Sequence, residues 1–225
     1  MKPLITEERD SVTLQNLGRA SLQIIHDIKN QLNGLKLYAT FLRKRMEKSE
    51  QPPDQQETIA KLIAGLDRAA SNLNVLVRYG RPLELHRQQV DVQKVMRGVL
   101  SNLSNGGNDS YSLPDCIAEG APLVGQFDTG ALTEALRSIS LGALKNCQQQ
   151  ESLKVNLRSE QAIDQHTAVV EWAPVSFEGG DPFNSFNGSD AIRMSLAAKI
   201  VEAHGGSAEQ DQAVLRIRLP INHCA

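Results

Sequence analysis

The residues best suited to chemistry in this 225-residue chain sit together in one octapeptide, His26-Asp-Ile-Lys-Asn-Gln-Leu-Asn33. An imidazole on a helix surface can carry a phosphoryl group: one ring nitrogen attacks, while a neighbouring acid, here Asp27, holds the other N–H and favours the right tautomer. Asn30 lies one helical turn further on. Its amide can position a phosphoryl oxygen or an attacking water without the charge that would repel phosphate. Lys29 and Asn33 fall on the same outer face, because residues three or four apart are helix neighbours. A single surface histidine is more often merely a solvated side chain; the surrounding polar string is what points to chemistry.

A long helix must carry this string. From about Ser11 to Glu47 the apolar residues Leu14, Leu17, Ile24, Ile25, Ile28, Leu32, Leu35, Ala39, Leu42 and Met46 recur at spacings of three and four. The prolines of Ser49-Glu-Gln-Pro-Pro-Asp54 break the pattern. A second stripe, from Ile59 through Leu66 and Leu73 to Val77, ends near Gly80-Arg-Pro82. Written as heptads with Ser21, Ile28, Leu35 and Leu42 at position a, the first helix has Ile24 and Tyr38 at d, Ile25, Leu32 and Ala39 at e, and His26 at the outward f position. Leu22 and Leu37 then fall on outer positions flanking His26, where a bundle gains nothing from apolar side chains, and are expected to dock a partner. One hairpin would leave much of its apolar surface wet, so two hairpins are expected to form a four-helix bundle in a homodimer.

Residues 1–82 are thus expected to be a dimerisation and phosphotransfer hairpin, and residues 83–225 a second domain of different texture. Helices are expected at Asp91–Leu103, Thr129–Cys147 and Asp190–His204, with short strands at Asp115–Ala118, Ser152–Arg158, Ala168–Trp172 and Val214–Leu219. The fold class is α+β, a helical hairpin followed by an α/β sandwich. Asn105-Gly-Gly-Asn-Asp109 is expected to turn, and His204-Gly-Gly206 to end a helix with a glycine at positive φ.

Composition excludes several classes. A formal charge of −2, with basic and acidic residues interspersed, argues against a nucleic-acid binder. The first residues lack the apolar core of a signal peptide, and no stretch approaches the roughly 20 apolar residues of a membrane span, so a cytoplasmic protein without a membrane partner is expected. Cys116, Cys147 and Cys224 form no CxxC pair, which suggests neither a disulfide framework nor a metal site. His86, His166 and His223 have no partner pattern. Phe183 and Phe186 are expected to plug a core.

His26-Asp-Ile-Lys-Asn-Gln-Leu-Asn-Gly34 resembles the phosphoacceptor box of histidine kinases, in which the His is followed by an acid and, four residues on, by Asn, usually with Pro next; here that Pro is Gln31. Arg81-Pro82 followed by Val90-Asp91-Val92 is similar to the family's passage from dimerisation hairpin to ATP-binding domain. Lys199-Ile-Val-Glu-Ala-His-Gly-Gly206 is similar to the helix after its last glycine box, and Val214–Pro220 to its closing strand. On this register the resemblance implies a degenerate ATP domain. Ser189, Ala191 and Arg193 stand where the family has glycine, so side chains replace the backbone N–H groups that should approach phosphate. Ser138 and Gly142 stand where it has asparagine, and Gly142 holds the magnesium-ligand position. Glu171-Trp-Ala-Pro174 supplies no adenine-binding Asp-x-Gly box, Trp172 is a candidate to fill the vacated pocket, and the interval before Ser189 is too short for an ATP lid.

The chain therefore resembles the dimeric histidine phosphotransferases with a kinase-like bundle and a degenerate ATP domain. The resemblance implies response-regulator receiver domains as partners, catalytic His26, Asp27 and Asn30, docking residues Leu22, Lys29, Asn33 and Leu37, and no bound cofactor: ATP is not expected to bind, and Mg²⁺ comes with the receiver. Three other readings stand beside this one: a receiver phosphatase using Asp27 and Asn30, a non-catalytic dimeric adaptor, and a divergent active kinase.

Overall fold

The computed structural model describes residues 5–46, 53–105, 114–118, 121–147, 152–162, 165–177, 180–185 and 189–222. The chain divides into two compact units, Met1–Pro82 and Leu83–Ala225.

The first unit is two helices, α1 (Ile5–Met46) and α2 (Pro53–Gly80), packed on each other along their length. Six residues link them and span at most about 20 Å, less than the length of α2, so helices in lengthwise contact across such a link run antiparallel. Lys36 Nζ reaches Asp67 Oδ1 across the pair at 2.5 Å. The sequence pattern begins α1 at Ser11; the helix starts at Ile5, two turns earlier, in a polar stretch that periodicity does not reveal. No proline interrupts α1, and Gln31 keeps its N–H in the helical ladder.

The residues of α1 covered within the hairpin are the e line, with Ala39 buried and Ile25 and Leu32 half-buried. The a and d residues Ile24, Ile28, Leu35, Tyr38 and Leu42 are all exposed. The physical reason is angular: at 100° per residue the e line turns toward α2, and the a/d line then lies roughly a quarter-turn away from it.

The second unit is a two-layer α/β sandwich. Its sheet has strand order β2-β4-β5-β7-β6, from β2 (Asp115–Ala118), β4 (Lys154–Ala162), β5 (Gln165–Ala173), β6 (Ser207–Asp211) and β7 (Val214–Ile221); β2 runs parallel to β4 and the other pairs are antiparallel. A separate two-stranded ribbon joins β1 (Gln88–Asp91) to β3 (Val124–Phe127). Helices α3 (Val92–Asn105), α4 (Thr129–Lys145) and α5 (Ser189–Ala203) pack in sequence, α3 on α4 and α4 on α5. Alternation buries Val155 and Leu157 of β4, Ala168, Val170 and Trp172 of β5, and Leu215, Ile217 and Leu219 of β7. The short strands β1, β3 and β6 escape the sequence reading because four or five residues are too few to establish a period.

Two features lock this sandwich. Asp128 caps α4, its Oδ1 accepting from Ala131 N and its Oδ2 from His86 N, and these backbone donors hold its carboxyl below the ordinary carboxylate range. At the end of α5, Gly205 at φ +83° lets its own N–H reach Glu202 O and the next N–H, of Gly206, reach Val201 O, the paired closure of a left-handed helix cap.

The opposite sheet face carries a closed ring of alternating charges. Arg158 binds Glu171; Glu171 Oε1 accepts from Arg216 at 2.6 Å; Arg216 reaches Glu209 at 3.0 Å; Arg218 reaches Glu209 at 2.5 Å and Glu160 at 4.0 Å; and Glu160 returns to Arg158 at 2.7 Å. Val169, paired in register between Arg158 and Arg218, is fully buried at its centre. Among the described residues no helix is long and apolar enough to cross a membrane.

Candidate functional site

Helix α1 presents two faces of different character. The backbone of His26 lies in α1, while its side chain and that of Leu22 lie outside the described features. Asp27, Asn30 and Asn33 are exposed. By the 100° rule Asn30 and Asn33 lie within about 40° of the His26 direction, and Asp27, one residue on, at the edge of that face. Leu37 is 55% exposed and continues the face. Lys29 lies about 60° from the His26 direction, on the side toward α2, and is half-buried. Phe41, one turn beyond Leu37 and 61% exposed, extends the apolar end of this surface. Its four-residue spacing from Leu37 is the signal in the sequence that puts it there.

The second place of interest lies between α4, α5 and β5. Trp172 is fully buried, and its Nε1 donates to Ser140 Oγ at 3.0 Å. A Cβ added at Gly142 would stand 2.5 Å from Met194 Sδ, so the side chain of α5 occupies the space that glycine leaves on α4. The pairing of Met194 with Gly142 joins positions far apart in the chain, so no local pattern in the sequence signals it. At the same end, Lys145 Nζ pairs with Asp190 Oδ2 at 2.7 Å, placing a carboxylate of the chain itself in the first turn of α5. The segment before α5 is pinned down as well. Pro182 and Phe183 of the 3₁₀ turn Pro182–Asn184 are buried, and Ser195 Oγ donates to Ser185 O at 2.9 Å. Phe183 therefore plugs a core as expected, whereas Phe186 lies outside the described residues.

His204 is structural. Its Nε2 accepts the Asp128 N–H at 3.0 Å, which places the ring proton on Nδ1, 2.8 Å from Ile200 O. Burial lowers its pKa, outweighing the bond to Ile200 O, so the imidazole is neutral near pH 7. His86 is exposed and His166 half-buried, while His223 lies outside the described residues. Among the described residues no group of three His, Cys, Asp or Glu side chains could hold a metal ion.

A helical pair preceding a sandwich with this strand order has known counterparts. The chain has the fold of a histidine kinase core. Full-length ShkA, solved with AMPPNP, superposes with a TM-score of 0.69 at 18% identity over 92% of this chain. The chain spans 46% of ShkA's own length. The Acinetobacter baumannii histidine kinase AdeS superposes with a TM-score of 0.57 at 14% identity, covering 86% of this chain and 97% of the AdeS structure. No protein-family model matches the sequence, and no curated protein matches it. At these identities the likeness concerns the histidine kinase fold and leaves activity to be argued from residues.

Proposed function

We propose that this chain is a two-component signalling protein that relays phosphoryl groups between His26 and the aspartates of response-regulator receiver domains, without using ATP. In the forward step an imidazole nitrogen of His26 attacks the phosphorus of a receiver's aspartyl phosphate: a P–N bond forms, the P–O bond to the receiver breaks, and the aspartate leaves as carboxylate. Transfer to a second receiver is the reverse. Asp27 accepts the other ring N–H, and Asn30 steadies a phosphoryl oxygen. The receiver brings its own Mg²⁺.

The observation that carries this reading is the packing of Met194 against Gly142, beside the buried Trp172–Ser140 pair. On the register of the resemblance Gly142 holds the magnesium-ligand position, Met194 closes the segment at the last glycine box and Trp172 follows the strand before the adenine box, so side chains packed among them support a site without nucleotide. The Asp190 carboxylate at the start of α5, paired with Lys145, stands where a phosphate would look for backbone donors. Such residues do not fit a nucleotide, so the chemistry is assigned to a phosphoryl group that arrives already activated. The exposed Leu37 and Phe41 beside the Asn30 face support docking of a receiver there. The exposed Ile24, Ile28, Leu35 and Leu42 support a homodimer that covers them.

The exposed Asn30 favours a second reading, a receiver phosphatase in which Asn30 and Asp27 position water. One experiment separates the two. Receiver domains from the same genome are charged with radiolabelled acetyl phosphate and mixed with the full chain, its His26→Gln variant and its Asn30→Ala variant. Relay predicts label on the chain that appears in a second receiver and vanishes with His26→Gln. Loss of receiver label to inorganic phosphate, abolished by Asn30→Ala and retained by His26→Gln, would replace relay with the phosphatase. Saturable Mg-ATP binding by calorimetry, with label from ATP reaching His26, would overturn both.

A further inference from the structure

Between Ile24 and Leu42 the exposed apolar stripe of α1 has one polar interruption, at its middle. Gln31 is exposed between Ile28 and Leu35 and holds the heptad d position that Ile24 and Tyr38 hold one repeat before and after. On a wet helix such an amide costs nothing. Once the stripe is covered, the amide leaves water and must find a hydrogen bond, or the interface loses about 1–3 kcal/mol. In a heptad seam a single polar residue of this kind selects register and copy number at some expense of stability.

The chain itself supplies a matching surface. Leu62 of α2 is 52% exposed. With 100° per residue and antiparallel helices, Leu62, Ala69, Leu73 and Leu76 turn to the same side of the hairpin as Ile24, Leu35 and Leu42, while Asn30 and Asp67 turn to the other. One hairpin face is therefore apolar along both helices with a heptad spacing, and a second copy repeats it about a two-fold axis. In such a pair α1 of one copy lies beside α2 of the other. The Lys36–Asp67 contact sets the level: five residues back along α1 and five forward along α2, Gln31 stands level with Asn72. Resting on the dimer reading above, we infer that Gln31 is the register-setting residue of the assembly, its amide hydrogen-bonded to Asn72 in α2 of a second copy.

The test uses the full chain in sedimentation equilibrium, with helicity checked by circular dichroism. The wild type is expected as a discrete dimer. Gln31→Ala and Asn72→Ala are each expected to raise the dimer Kd about five- to tenfold, and the double variant no further than either alone, the mark of a shared contact. Gln31→Leu is expected to tighten association by about tenfold or more while spreading the mass distribution beyond dimer, as coiled-coil seams do when their polar residue is lost. A wild type that stays monomeric would remove the dimer reading. A dimer in which the two alanine changes add independently, or in which Gln31→Leu alters neither Kd nor mass distribution, would overturn the role of Gln31 and leave the dimer standing.

Discussion

Gly142 shows how one absent side chain shapes this molecule. On the register of the resemblance it marks a lost metal ligand; in three dimensions it is the socket for Met194, which a Cβ would meet at 2.5 Å. Gly142→Ala is therefore expected to destabilise the second unit by about 1–3 kcal/mol through overpacking, even though alanine favours helix. Met194→Ala in the same chain should recover much of that loss by vacating the socket. Urea unfolding of the two single variants and the double variant measures it, and independent, additive losses would mean that the two side chains do not share the space. Trp172 and Ser140 are coupled in a like manner, since a buried indole N–H needs an acceptor and Ser140 Oγ provides one.

Among the elements, the sheet's charged face has the clearest pH signature. Hydrogen bonding to Arg158, ahead of that to Arg216, holds the Glu171 carboxyl below its ordinary range against the opposing effect of burial. A carboxylate with a depressed folded pKa stabilises the fold fully above its unfolded pKa, about 4.3. That contribution is lost as pH falls through the lower folded value. Glu171→Gln should thus lower the urea midpoint at pH 7, leaving Arg158 and Arg216 without their shared acceptor, at roughly 1–3 kcal/mol. The gap between wild type and variant should narrow as pH drops below about 4. A gap that persists unchanged at pH 3 would assign the effect to packing rather than charge. In the first unit the clearest feature among the described residues is the contrast between the covered e line and the exposed a/d line of α1.

On the scale of the whole molecule, two units with separate cores are expected to unfold separately. The transition of the first unit should rise in temperature with protein concentration, because association stabilises what it buries, while that of the second should stay fixed. Scanning calorimetry of the full chain over a hundredfold concentration range checks this, and two concentration-independent transitions would count against the homodimer.

Much of this architecture was determined by the sequence alone. Periodicity and proline placement located both long helices, α4 and α5, and the central strands, because burial of one face writes itself into local spacing. The polar string from His26 to Asn33 was equally local, and its exposure at Asp27, Asn30 and Asn33 follows from helical geometry. The tertiary structure alone decided which side of α1 its own partner helix covers, since an e line and an a/d line are equally apolar in sequence and only packing chooses between them. It also decided the pairings of Gly142 with Met194, Trp172 with Ser140, and Glu171 with two arginines. Each of these joins residues from separate elements, and complementarity of shape or charge between distant residues leaves no periodic trace in the chain.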